Sequence, residues 1–256
     1  MVYLDCETYE SALGSLAAGA GVTEQALLQA IDATDLDPAP SDEDVWVAVP
    51  RQICTAAGFN IEAVRFPGAY YFHGTRVVDP MAFKRDGILP LSAMVDRLWE
   101  MLFSLVKDQV SAVEWRQLRK QLDSGESNDD HSSWLYRMKT GDPAHYGPYA
   151  SLVRDHVRYP IPGEHNYLAS PEIVEDIARS VGLGLQHRFE AASSPCIVKF
   201  RSQDIAHRVA ATEAALWYVS SRTKGIELGP SSVYGHSCDG RPVPVDDVVG
   251  VEVCTL

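Results

Sequence analysis

The first fifty residues contain no lysine or arginine, although they contain ten aspartates and glutamates. The remaining 206 residues carry 25 acids and 22 bases, so most of the net charge of −13 lies near the N-terminus. Residues 13–33 have the spacing of a helix-turn-helix in which Thr23 caps the second helix. A DNA-binding helix needs cations that meet phosphates, and this one offers Glu24 and Asp32 instead. We therefore interpret residues 1–45 as an acidic helical region, either a small packing unit or a surface for a basic protein partner.

The chain also lacks a long hydrophobic run. Its most apolar stretch, Leu98 to Val106, contains Glu100 and is shorter than the roughly 20 residues that cross a bilayer. The N-terminal MVYLDCETYE has no basic residues before an apolar core, which predicts no signal peptide. The five cysteines are odd in number and none has CxxC spacing, which argues against a disulfide framework or a zinc ribbon. These absences predict a cytoplasmic protein with no membrane partner and no metal.

Several nucleotide and nucleophile motifs are missing as well. No GxGxxG follows a strand and no GxxxxGK[ST] occurs, so neither a Rossmann fold nor a P-loop is supported. No GxSxG is present, which argues against the nucleophile turn of the α/β-hydrolases.

The acidic, proline-containing segment Asp35 to Asp44 reads as a linker, and it divides the chain into residues 1–45 and 46–256. Short strands and long helices then alternate without regular βαβ units. We predict strands at 69–76, 195–201 and 247–254, and helices at 90–106, 111–122 and 206–220. We also predict a short strand or helix before Pro50 and a separate helix that begins after it, and another helix that Ser170 caps. The pattern predicts an α+β fold: a small central mixed or antiparallel split sheet, with helical insertions and an N-terminal helical region.

Three consecutive residues after an aromatic run are the first candidates for a site. His73 offers one ring nitrogen as a donor and the other as an acceptor. Gly74 lets a ligand approach the backbone, and Thr75 adds a hydroxyl. This trio suits a ribose and an amide better than a metal. The alternative is a structural histidine beside a glycine bulge.

The segment YYFHGTR, with the helix and DGILPL that follow it, resembles the first strand of the ADP-ribosyltransferase family, in its His-Tyr-Glu branch. The C-terminal GRPVPVDDVVGVEV is similar to the turn and last strand of such domains. The resemblance implies that NAD is the substrate. It also implies that His73 bonds the adenosine-side ribose and that the Gly74 backbone holds the nicotinamide amide.

The same resemblance implies a tyrosine stacked on nicotinamide. The candidates are Tyr146, Tyr149 and Tyr167. Tyr167 precedes a predicted helix, and a helix N-terminus favours anions such as a pyrophosphate. The alternative is that these tyrosines anchor loops on the core.

Cleavage of the nicotinamide bond produces a ribosyl cation, which a carboxylate stabilises. The family places this glutamate late in the chain on a strand, so Glu227 and Glu252 are positional candidates. Glu172 is a third candidate on chemical grounds, because it lies near Tyr167 in sequence. Glu252 alternates with Val251 and Val253, which also fits the solvated face of an edge strand. No acid stands in a clear family motif.

Two functions follow as expectations. The first is an NAD-dependent mono-ADP-ribosyltransferase, a glycosyltransferase that passes ADP-ribose to a protein, a nucleic acid or water; a toxin or defence role is in keeping with the family. The alternative is a catalytically degenerate binding protein whose acidic N-terminal helices hold a basic partner.

Overall fold

The computed structural model describes residues 2–36, 43–125 and 131–255, and the side chains of residues 43–47 are excluded. The predicted linker Asp35 to Asp44 therefore lies largely outside the described residues. The described helices are α1 Tyr9–Ala20, α2 Glu24–Ala33, α3 Glu43–Ala56, α4 Ala82–Asp86, α5 Leu91–Val106, α6 Ala112–Ser124, α7 His131–Gly141, α8 Arg154–Arg158, α9 Glu172–Val181, α10 Leu185–Ala192 and α11 Arg208–Lys224. The strands are β1 Ala69–Val77, β2 Tyr149–Ser151, β3 Ser194–Ser202, β4 Gly235–Ser237 and β5 Val248–Val253.

These strands form one sheet in the order β4-β2-β1-β3-β5. The two neighbours β1 and β2 run antiparallel, with Phe72 opposite Ser151. One small sheet with many helices confirms the predicted α+β class.

The chain divides into two compact units, and β1 and β3 each pass from one unit into the other. The first comprises residues 1–72, 150–164 and 199–236, and the second comprises residues 73–149, 165–198 and 237–256.

In the first unit, α1, α2 and α3 pack around α11. Thr23 caps α2, because its hydroxyl accepts a hydrogen bond from the Ala26 amide at 3.1 Å, as predicted. Leu27 and Ile31 are buried on the inner face of α2. Residues of the N-terminal region thus belong to the same core as α11, whereas the predicted division at residues 45 and 46 stays a prediction.

The second unit has a helical core formed by α5, α6, α7, α9 and α10. Trp99 lies near its centre and donates its indole proton to the Tyr136 hydroxyl at 3.1 Å. Trp115 in turn donates to the Trp99 carbonyl at 3.1 Å. The buried members of this core are Trp99, Leu102, Val106, Trp115, Leu122, Tyr136, Val174, Ile177, Ala178, Leu185 and Phe189. Because indole and phenol groups are bonded as well as packed, these rings fix the helices at defined rotations.

Two expectations about helix ends are wrong. Helix α3 runs through Pro50 and does not start after it. Pro50, Ile53 and Cys54 are buried, so packing outweighs the one backbone hydrogen bond that the proline removes. Helix α9 has Pro171 as its N-cap residue, without a side-chain cap. The Ser170 hydroxyl contacts the Pro171 carbonyl oxygen instead of an amide of the helix.

The DGILPL segment is held by a close backbone contact. Ile88 exchanges two hydrogen bonds with Val243, at 3.0 and 2.9 Å. Gly87, which ends α4, has φ 74° and ψ −159°, a conformation available essentially only to glycine. A Cβ on Gly87 would lie 2.2 Å from the Val243 carbonyl oxygen. The glycine is therefore required by both its dihedral angles and the approach of the chain at Val243.

We expect Gly87→Ala to lower the free energy of unfolding by about 2 kcal/mol or more, because it adds backbone strain to a clash with main chain. Gly141→Ala is the matched control: Gly141 ends α7 with an ordinary φ and open space around its Cβ position. Urea denaturation of both variants measures the difference. Equal stabilities would show that residue 87 tolerates a side chain.

Candidate functional site

The second unit contains a cavity of about 680 Å³, within the usual size range of small-molecule sites. Its lining includes His73, Gly74 and Thr75 of β1, together with Tyr149 and Glu172. These are five of the seven predicted site residues that line this cavity.

His73 is oriented by a hydrogen bond to the backbone. Its Nδ1 lies 2.7 Å from the Tyr149 carbonyl oxygen. A carbonyl can only accept, so Nδ1 carries the proton and Nε2 of the neutral ring is an acceptor. Burial lowers the pKa of His73, while the bond to Tyr149 opposes that shift. Within the described residues no other polar group bonds Nε2, so the cavity has an acceptor available for a ligand hydroxyl.

Tyr149 is held at both ends beside His73. Its carbonyl oxygen accepts a hydrogen bond from His73 Nδ1, and its hydroxyl donates one to the Ala144 carbonyl oxygen. Burial raises the pKa of Tyr149, and nearby carboxylates, Glu172 among them, raise it further. The side chain is nevertheless 44% exposed. An anchored ring with accessible surface is suited to stacking on a flat ligand.

The other two tyrosines also line the cavity. Tyr146 donates its hydroxyl to the Thr140 carbonyl oxygen at 3.2 Å. Tyr167 is 40% exposed and meets the edge of the His165 ring, with centroids 4.6 Å apart. Only Tyr149 of the three bonds His73 directly.

Of the three candidate glutamates, Glu172 alone lines the cavity. Glu252 lies on β5, and Glu227 follows α11 in the first unit. Glu172 begins α9, so both it and Glu175 lie in the first turn. Two carboxylates there already complement the helix dipole, which argues against a pyrophosphate at this helix end.

Lys139 of α7 contacts Glu172 and a second carboxylate of α9. Its Nζ lies 3.1 Å from Glu172 Oε2 and 2.7 Å from Asp176 Oδ2. Asp176 is 2% exposed. Burial raises the pKa of Asp176, and Lys139 acts in the opposite direction. Lys139 and Asp176 were not predicted; the available signal was that Glu172 and Asp176 are four residues apart and share a helix face.

Much of the remaining cavity lining is apolar. A stripe at helical spacing on α5 supplies Leu91, Met94, Leu98 and Met101. Residues of α9 and α10 continue it: Ile173, Val174 and Phe189. Such a wall excludes water from a bound ligand, and methionines adapt to irregular shapes.

The cations of the cavity other than Lys139 have different environments. Arg76 donates to the Glu190 and Ser193 carbonyl oxygens at 2.6 and 3.1 Å. Arg85 and Arg97 are exposed and both pair with Asp86. Arg76 therefore stabilises the turn between α10 and β3, and the other two are solvated surface charges.

Two further observations concern the described residues as a whole. No group of three or more histidine, cysteine, aspartate or glutamate side chains is arranged to hold a metal ion. No helix there combines the length and the apolar composition needed to cross a membrane.

The lowered pKa of His73 predicts acid sensitivity. Between that pKa and the unfolded value of about 6.5, the unfolded chain binds more protons at residue 73 than the folded chain does. This contribution to the free energy of unfolding is therefore present above about pH 6.5 and is lost on acidification. We expect His73→Gln to remove it, seen as a smaller difference in stability between pH 7 and pH 5 than in the wild type. An NMR titration of His73 with a midpoint above 6.5 would contradict the assignment.

Comparison with protein-family models, with curated proteins and with solved structures gives no match for this chain.

Proposed function

We propose that the chain is an NAD-dependent mono-ADP-ribosyltransferase whose site is the cavity of the second unit. The observation that carries the proposal is the convergence of His73, Tyr149 and Glu172 on that cavity. These side chains come from β1, β2 and α9, and each offers what one part of this reaction requires.

His73 serves as an acceptor in this scheme. With Nδ1–H bonded to Tyr149, Nε2 accepts a hydrogen bond from a ribose hydroxyl of NAD. Gly74 follows on the same strand and presents its backbone to the carboxamide of nicotinamide. Tyr149 stacks its exposed face on the nicotinamide ring, which the aromatic quadrupole favours in an offset arrangement.

Glu172 serves as the carboxylate beside the breaking bond. When the bond between the ribose carbon and the nicotinamide nitrogen breaks, its electron pair stays with nicotinamide. Nicotinamide leaves neutral, and positive charge remains on the ribosyl group. A carboxylate next to this group lowers the barrier electrostatically. The acceptor, an oxygen or nitrogen of a protein, a nucleic acid or water, then attacks the same carbon and loses its proton. A toxin or defence role would use the same reaction.

Variants of the three glutamates test which acid acts. We expect His73→Ala and Glu172→Gln each to lower nicotinamide release from NAD by roughly a hundredfold or more. The first removes the acceptor that orients the adenosine-side ribose, and the second removes the carboxylate beside the reacting ribose. Glu227→Gln and Glu252→Gln are matched controls that should retain wild-type rates, since neither side chain lines the cavity. Chromatographic measurement of nicotinamide gives the rates, and circular dichroism checks folding.

Two results would reject this assignment. Loss of release in Glu252→Gln with full activity in Glu172→Gln would move the acid to β5. A wild-type protein that neither binds NAD nor releases nicotinamide would reject the transferase function.

A second candidate, binding of a basic partner, has support in the first unit. Glu10, Glu24, Asp32 and Asp35 are exposed on or beside α1 and α2. Asp5 and Glu7, by contrast, both bind Lys199 at 2.7 Å. Among the acids whose side chains the structure describes, the exposed acidic surface of α1 and α2 therefore consists of Glu10, Glu24, Asp32 and Asp35.

Charge neutralisation tests this candidate without deleting the buried faces of α1 and α2. We expect a Glu10→Gln/Glu24→Gln/Asp32→Asn variant to bind a polylysine peptide several-fold more weakly than wild type at low salt, as measured by calorimetry. The control, Glu175→Gln, lies on α9 in the other unit and should leave that binding unchanged. Equal affinities of the triple variant and the wild type would reject the acidic surface as a binding site.

A further inference from the structure

Lys139 occupies a distinctive position in the cavity. Its side chain is only 13% exposed and its ammonium group lies between two carboxylates of α9. Glu172 and Asp176 are one helical turn apart, so both side chains reach the same point of α7. Lys139 thus bridges Glu172, which is exposed to the cavity, and Asp176, which is buried.

Asp176 fixes the position of that ammonium group. Its carboxylate is 2% exposed, and an ionised carboxylate out of water needs a counter-ion. Lys139, at 2.7 Å, is the cation that bonds it. Because Asp176 is buried in the core, we infer that Asp176, and not Glu172, sets the position of Lys139 Nζ.

Glu172 is in the opposite situation. Its side chain is 38% exposed, and a solvated glutamate samples many rotamers that it must lose when it meets a substrate. The contact of Oε2 with Lys139 at 3.1 Å limits that freedom on the wall of the cavity. A catalytic group displaced by about 1 Å costs roughly a hundredfold in rate.

We propose that Lys139 is a positioning residue, which holds the Glu172 carboxylate against the ribosyl group by being anchored on Asp176. The inference rests on the proposed transferase function and extends it to a residue that does not itself touch the reacting atoms. Arg85 and Arg97 do not compete for this role, because both are exposed and paired with Asp86.

The test must separate positioning from folding, since removing Lys139 leaves Asp176 buried without a counter-ion. Lys139→Met should therefore melt at a lower temperature than wild type. The double variant Lys139→Met/Asp176→Leu replaces the ion pair by apolar groups and should recover most of that loss. Glu172 is unheld in both variants.

Steady-state nicotinamide release then distinguishes the roles. We expect kcat to fall about tenfold to a hundredfold in both variants, with KM for NAD within about twofold of wild type. Lys139→Arg, which keeps a cation and its donors, should restore a large part of kcat. The control Arg179→Met removes an exposed pair with Glu175 on α9 and should match wild type in both kcat and melting temperature.

Three outcomes overturn the role of Lys139 alone, and a fourth overturns the transferase function as well. A double variant with wild-type kcat would show that Lys139 only stabilises the fold. A change in KM without a change in kcat would show that Lys139 binds NAD directly. The third comes from a double-mutant cycle of Lys139→Met and Glu172→Gln, in which the free energy of unfolding is measured in urea without substrate. If the wild type is active but the two substitutions show no coupling energy, Lys139 does not hold Glu172. A wild type that releases no nicotinamide instead overturns the transferase function, and this role with it.

Discussion

The arrangement of the second unit depends on an ion pair that is largely out of water. Lys139 and Asp176 join α7 to α9 at 2.7 Å, beside a core in which Trp99, Trp115 and Tyr136 are all buried. Such a pair adds little net stability compared with apolar residues of similar volume, because both charges lose their hydration. It does impose one rotation and one register on the two helices, since any shift leaves a charge unpaired. Glu172, the first residue of α9, contacts the same lysine and lines the cavity.

The cavity combines polar groups with an apolar wall, which would suit the proposed reaction with its charge development. The His73 acceptor, the Tyr149 ring and the Glu172 carboxylate are fixed by hydrogen bonds and by Lys139. Much of the other lining is a wall of α5, α9 and α10 side chains such as Met94 and Ile173. An apolar wall lowers the local dielectric constant, which strengthens the interaction of a carboxylate with a nearby cation. The same wall would also fit the binding of an apolar ligand without reaction, and the kinetics of the glutamate variants separate these cases.

The sequence predicted those parts of the fold that local patterns determine. Strand β1, helices α5 and α6, the Thr23 cap and the closing strand all lie close to their predicted ranges, because turn residues and hydrophobic periodicity are local signals. The predictions that a helix starts after Pro50 and that Ser170 caps α9 failed because non-local packing and an alternative hydrogen bond outweigh these local signals. Burial decides the course of α3, and Ser170 bonds the Pro171 carbonyl. Contacts far apart in sequence, such as Ile88 with Val243 or Lys139 with Asp176, leave no local signal at either residue.

The candidate site shows the same limit at the level of single residues. His73, Gly74 and Thr75 are adjacent in the chain, so a motif could identify them, whereas three glutamates remained equal candidates for the acid. Geometry separates them because Glu172 reaches the cavity and Glu252 does not. Geometry also distinguishes Glu172 from Asp176, although both lie on one face of α9 and contact the same lysine. Burial commits Asp176 to the structure, and exposure leaves Glu172 able to meet a substrate. The proposed chemical role of each carboxylate thus follows from its access to the cavity, which the sequence alone does not specify.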